Sequence, residues 1–170
     1  MSEWIKGAFN ASDYILRDII DNVPTTALTY PTNDPIEHAR ISQLIEKKRQ
    51  TLPYSNGVGL NDNKCIMTHT PAEVGFDASQ REWCYVPMKN PKLDTYVSNM
   101  FMSNIGEMMV IQTRKFPDNK GLAGLGLNLS FFSQWVKKVH IGRGGVVAIL
   151  DRHFNLLARQ PESPQALGKK

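Results

Sequence analysis

The chain has 170 residues, 41% apolar and 21% charged, with 20 Lys and Arg against 16 Asp and Glu for a net charge of +4. That length and composition fit one folded domain with a sizeable core. They exclude the concentrated basic stripe of a nucleic-acid binder, since the densest basic run, Lys47-Lys48-Arg49, is short and sits on a helix flank, and no stretch reaches the roughly 20 apolar residues that a bilayer span requires.

Residues 3–23 predict an amphipathic helix. Trp4, Ile5, Ala8, Phe9, Ile15, Leu16, Ile19, Ile20 and Val23 recur at spacings of three and four, and Pro24 closes the segment. Glu3, Lys6 and Asn10 among these apolar residues do not read as a signal peptide. A polar connection over 25–34 leads to a second helix from Pro35 to Gln50. Asp34 is its N-cap, Pro35 suits its first turn, and Ile36, Ala39, Ile41, Leu44 and Ile45 supply its apolar face.

From residue 57 the pattern shortens to strands, at about 57–61 and 64–69 around a turn at Asn61-Asp62-Asn63. A loop holding Pro71 and Gly75 precedes a short helix near 78–86. Strands at about 94–102 and 107–116 flank Ser103-Asn104-Ile105-Gly106. The turn Pro117–Gly121 opens a strand over 121–128, and a helix follows over 129–139. The last hairpin runs from Gly145 to Asp151 and from Leu156 to Arg159, turning at Arg152-His153-Phe154-Asn155, and the tail from Pro161 is expected to fray. Helices followed by sequential strands on tight turns predict an α+β fold. Its antiparallel sheet has five to six strands with helices packed against it.

Catalytic readings find little support. His38, His69, His140 and His153 lack paired-ligand spacing, so no metal is expected and each reads as a surface or hydrogen-bonded histidine. Cys84 with His69 or His140 carries no nucleophile signature, and no G-x-S-x-G occurs. The glycines at 121, 124 and 126 and at 142, 144 and 145 lack the Lys-Ser/Thr pair of a phosphate loop. The first cluster alternates with apolar residues, as a strand does where another backbone approaches closely. No catalytic residue and no cofactor is therefore expected. Cys65 and Cys84 read either as a disulfide in an oxidising compartment or as two buried thiols in the cytosol.

The segment Asp77–Tyr85 (DASQREWCY) brings Arg81, Trp83 and Tyr85 together. A guanidinium beside aromatic rings makes a receptor for a small carboxylate, through bidentate hydrogen bonds in a water-poor setting. The same residues also fit a plainer reading, with Arg81 paired to Asp77 or Glu82 and both rings in the core.

The order of motifs from residue 12 to 161 resembles the PAS-like sensors called PDC or Cache domains. These lie outside the membrane in bacterial diguanylate cyclases, chemoreceptors and histidine kinases. The resemblance rests on the long first helix, the strand pair, the D-x-S-x-R-x-W segment at Asp77–Trp83 and the strand Met108–Lys115 with its basic end. It rests also on the glycine-bearing strand before a helix, and on the terminal stretch Ala148–Pro161 that reads as aliphatics, Asp, a turn and Leu-Leu-Ala-Arg-x-Pro.

This resemblance implies a single extracytoplasmic sensor domain of a bacterial membrane receptor, not itself an enzyme, most like those attached to diguanylate cyclases (GGDEF outputs). It implies flanking transmembrane segments in the intact protein, a homodimer through the first helix, a periplasmic location and a small-molecule ligand. The implied ligand residues are Arg81, Trp83, Tyr85, Tyr96, Ser98 and Thr113. Cys84 stands where an amino-acid pocket of the family has tyrosine, Ser98 where it has aspartate, and Gly126 where an aspartate meets the ammonium group. The carboxylate side of such a pocket is kept and the amine side is largely missing, which implies an anionic or neutral ligand. In this topology Cys65 and Cys84 become neighbours and disulfide candidates, anchoring the segment that carries Arg81 and Trp83. The alternatives are a structural dimerisation module with no small-molecule ligand, and the sensor domain of a chemoreceptor or histidine kinase.

Overall fold

In the computed structural model, which describes residues 3–70, 74–138, 147–150, 154 and 156–160, the first apolar stripe forms helix α1 (Glu3–Asn22). It buries Ala8, Ile15, Leu16, Ile19 and Ile20. After one 3-10 turn at Thr25–Ala27 comes α2 (Pro35–Arg49). The Asp34 side chain caps α2 by accepting the Glu37 N–H at 3.0 Å, with Pro35 in the first turn, as the sequence predicts. Replacing Asp34 by Ala is expected to cost about 1 kcal/mol, read as a lower denaturation midpoint with an unchanged slope.

The predicted apolar face of α2 needs correction. Ile41 and Ile45 are buried, whereas Ile36 is 85% exposed and Ala39 is exposed. At 100° per residue Ile36 lies about 140° around the helix from Ile41, so it cannot share a narrow inner stripe. That stripe runs instead through residues 38, 41 and 45.

The strands are β1 (Ser55–Asp62), β2 (Met67–His69), β3 (Thr95–Val97), β4 (Phe101–Met102), β5 (Met108–Lys115) and β6 (Gly121–Asn128). Their order is β2-β1-β6-β5-β3, with β4 also pairing β5. Between β1 and β2 the turn is Asp62–Cys65 and not Asn61–Asn63. Asn61 stays in β1, and the Asp62 carboxylate accepts the Lys64 and Ile66 N–H groups, each at 2.9 Å. The strand expected over 94–102 is broken at residues 98–100. Ser98 Oγ accepts the Ile111 N–H at 2.9 Å, so a side chain takes over part of the ladder.

The helix expected near 78–86 starts four residues later and ends three later, as α3 (Glu82–Lys89). Residues 77–78 are held extended by the bridge of Asp77 to Ile66 and by the Ala78 N–H donating to Cys65 O at 2.8 Å. The helix therefore starts only after Arg81. Gly121 bears out the expected close approach, since an added Cβ there would collide with the Asn61 carbonyl and the Leu28 side chain.

Helix α4 (Ser130–Val136) follows β6, and β7 (Val147–Leu150) pairs antiparallel with β8 (Leu156–Gln160). Among the described residues this last hairpin forms a two-stranded sheet of its own. Its predicted turn, the glycines at 142–145, His140, His153 and the tail lie largely outside the described residues. Contacts gather the chain into two compact units. The first comprises 1–98 and 111–126, and the second 99–110 and 127–170.

Candidate functional site

The first unit gives its sheet two differently used faces, and β5 shows both. On one face Gln112 and Arg114 grip α1. The Ser12 hydroxyl donates to the Gln112 side-chain oxygen, and the Gln112 amide donates to Phe9 O at 3.2 Å. Arg114 donates to both oxygens of Asp13, at 2.8 and 3.0 Å. Partial burial, the largest single influence on Asp13, works against its ionisation. The bonds and charges of Arg114 and Arg17 together outweigh it and hold the carboxyl below its ordinary value.

On the other face stand Ile111, Thr113 and Lys115, on the side where α3 packs. Tyr96 lies directly across from Thr113, whose hydroxyl donates to Tyr96 O at 3.4 Å. An added Cβ on Gly124 would meet the Thr113 and Ile111 methyls at 3.4 and 3.5 Å, an ordinary contact that sets β6 against this face.

Four of the six predicted ligand residues meet this face in different states. Thr113 is fully buried and Tyr96 half-buried, and the two are neighbours. Ser98 is buried on the same strand edge with its Oγ committed to Ile111. Trp83 is 7% exposed and belongs to a packed cluster with Cys65, Ala78, Cys84 and Leu122, against which Met67, Phe76, Met88 and Ile111 pack. Cys65 and Cys84 are joined by a disulfide inside that cluster.

The remaining two are not members of that cluster. Arg81 precedes α3 and is exposed; its guanidinium sits over Phe76, 5.6 Å from the ring centre. Asp77, a proposed partner for it, accepts the Ser79 N–H instead. Tyr85 is half-buried and carries the Lys89 ammonium 5.4 Å from its ring centre.

Lys115 is the residue that the sequence reading passed over. It is 6% exposed, and its ammonium donates to Asn90 O, at the C-terminal end of α3, at 3.0 Å. Among the described residues no carboxylate lies within ion-pair distance of it. A nearly buried lysine with no carboxylate partner is uncommon. The run Arg114-Lys115 read only as a basic strand end, and the alternation that turns Arg114 toward α1 turns Lys115 inward.

Two clefts are lined by other residues. One of about 420 Å³ lies in the second unit and is bordered by Met100, Met108, Asn128, Leu129, Ser133 and Lys137. The other, of about 130 Å³, lies in the first unit beside Thr26, Thr32, Asp34, Glu37 and His38. Among the described residues no cluster of three or more His, Cys, Asp or Glu is placed to hold a metal ion, and no helix is long and apolar enough to cross a membrane.

No protein-family model matches the chain, and no curated protein matches it. Solved structures do. An extracellular ligand-binding receptor from Desulfohalobium retbaense superposes over 99% of this chain with a TM-score of 0.76 at 16% identity. The extracellular domain of rpHK1S-Z16, described as a histidine kinase, matches 94% of it with a TM-score of 0.71 at 20% identity. The ligand-binding domain of Mlp24, solved with asparagine, matches 91% with a TM-score of 0.61 at 11% identity. The chain spans 31%, 66% and 63% of those chains respectively. These likenesses establish the fold, an α+β sheet domain of the kind found in extracellular sensors.

Proposed function

We propose that the chain is the small-molecule-sensing region of an extracytoplasmic receptor, working by binding and not by catalysis. The observation that carries this is a fold shared with extracellular sensor domains over nearly the whole chain. The proposed ligand face is the α3 side of the sheet at Tyr96 and Thr113, with Trp83 and Tyr85 on the covering helix, Ser98 at the edge and Arg81 at the rim. Arg81 and the inward Lys115 favour an anionic ligand such as a small carboxylate. The alternation along β5 supports a route outward. A ligand touching Thr113 or Lys115 bears on the same strand whose Gln112 and Arg114 hold α1.

The intact receptor is proposed to carry flanking membrane segments and to dimerise through α1. Its output is proposed to be a diguanylate cyclase, by the sequence resemblance; histidine kinase and chemoreceptor outputs are the alternatives. A structural module without a ligand is the competing reading, and the filled cluster around Trp83 is what favours it.

A thermal-shift screen of the oxidised chain against small carboxylates, amino acids, amines and nucleobases tests the choice. A binder at a hundredfold its Kd adds about 2.7 kcal/mol, enough for a rise of several degrees. A carboxylate hit that is lost in both Arg81→Ala and Lys115→Met supports the reading. A hit indifferent to both would move the site elsewhere, and silence across the library would favour the structural module.

A further inference from the structure

The inner stripe of α2 that carries Ile41 and Ile45 also carries His38, and this residue meets His69 of β2. The two imidazoles stack with centres 4.4 Å apart and planes 22° from parallel. His69 is 0% exposed and so is its neighbour Thr68. The hydrogen bonds assign both tautomers. His38 Nε2 lies 2.9 Å from Thr68 O, and a carbonyl only accepts, so that nitrogen carries a proton. The Thr68 hydroxyl lies 3.2 Å from Leu60 O and 2.9 Å from His69 Nδ1; with its own proton on Leu60 O it accepts from Nδ1, the arrangement that spares Nε2 from being a buried donor without an acceptor. His69 Nε2 is then the unprotonated nitrogen, and it is buried with no hydrogen-bond partner among the described residues.

In the neutral state this arrangement costs little, because an unmatched lone pair is the milder kind of buried orphan. In the charged state it fails twice. The new Nε2–H has no acceptor among the described residues, and an imidazolium lies within stacking distance of a second imidazole. Near-parallel rings also direct their ring-plane lone pairs side by side, so one metal ion cannot join them. Among the described residues the charged and titratable groups around the pair are few. From α2 come Glu37, paired with Arg40, and from the chain just before it Asp34, committed to the helix cap. From β1 and β2 the hydrogen-bonding groups are neutral, Thr68 with its carbonyl on His38 and its hydroxyl on His69, and the Leu60 carbonyl acting through that hydroxyl. The cleft of about 130 Å³ at the N-terminal end of α2 brings solvent to His38.

We propose that the His38–His69 stack is an acid-sensitive latch. It holds the N-terminal half of α2 on β2 while His69 is neutral, and releases it when His69 takes up a proton. The proton is then a second effector of this region, acting at a place distinct from the α3 face. Burial first, and the neighbouring His38 second, push the His69 pKa down to about 4, with Glu37 opposing them weakly. A group with a lowered folded-state value stabilises the docked state at pH above its free value of about 6.5. That contribution is lost as pH falls toward 4, at up to about tenfold in the docking equilibrium per pH unit.

Amide hydrogen exchange of the oxidised chain between pH 7 and 4.5, corrected for the intrinsic rate, tests the latch. Protection in residues 38–42 should fall up to about tenfold per unit below pH 6.5, while α1 between Leu16 and Ile20 keeps its protection, and His69→Phe should remove the slope. Flat protection in α2, an equal fall in α1, or a slope that survives His69→Phe would overturn the proposal. Should His69→Phe fail to fold, the wild-type imidazole nitrogens report instead. His69 should keep its proton on Nδ1 down to below pH 5, and titration near 6.5 within the intact fold would overturn the latch.

Discussion

Replacing Cys65 and Cys84 together by alanine is expected to lower the stability of the chain by about 3 kcal/mol or more. The disulfide closes a loop with a sequence separation of 19, and in the chain-entropy account a loop of roughly that size restrains the unfolded chain by about 3 kcal/mol. Both sulfurs are buried, so their removal also takes contacts from the cluster around Trp83 and Leu122. A second effect is separable. Cys65 has φ of +66°, a left-handed conformation that costs an ordinary L-residue on the order of 1 kcal/mol and glycine almost nothing. Cys65→Gly with Cys84→Ala should therefore be more stable than the double alanine variant by about 1 kcal/mol. Urea midpoints of the three proteins, each with and without reductant, measure both quantities. A wild-type midpoint that does not move on reduction would refute the first, and equal midpoints for the two double variants the second.

The parts of this fold that were legible in the sequence are those fixed by short-range chemistry. The stripe of α1, the Asp34-Pro35 start of α2 and the glycine-apolar run of β6 each declare themselves within one element. What was not legible depends on partners distant in sequence. Thr95-Tyr96-Val97 and Phe101 all favour strand, and nothing local marks the break between them; it follows from Ser98 meeting Ile111. The start of α3 slipped because Asp77 and Ala78 are drawn into bridging Ile66 and Cys65, residues that the chain has already passed. Lys115 reads as a solvated strand end until Asn90 closes over it. His38 did leave a signal, since it lies three and seven residues before Ile41 and Ile45 on one helical stripe, but its partner His69 is 31 residues further on.

Trp83 decides how much of the α3 face is pocket and how much is core, and Trp83→Ala is expected to cost about 3–5 kcal/mol. The ring is almost wholly buried against the disulfide, Ala78 and Leu122. Truncation leaves a cavity that the cross-linked neighbours cannot close by moving inward, because the bond between Cys65 and Cys84 fixes two of its walls. A tryptophan that lined an open ligand pocket would behave in the opposite way. Its loss would abolish binding while costing well under 1 kcal/mol of stability. Arg81→Ala supplies the control from the same segment. An exposed guanidinium over Phe76 contributes at most about 1 kcal/mol, so any loss of ligand response in that variant reports on binding and not on folding. Denaturant titrations of both variants beside the wild type make the comparison. A large cost at Trp83 with a small one at Arg81 confines the ligand to the stretch of sheet near Tyr96, Thr113 and Lys115. A small cost at both would return Trp83 to the ligand and leave the disulfide as the anchor of a segment that opens.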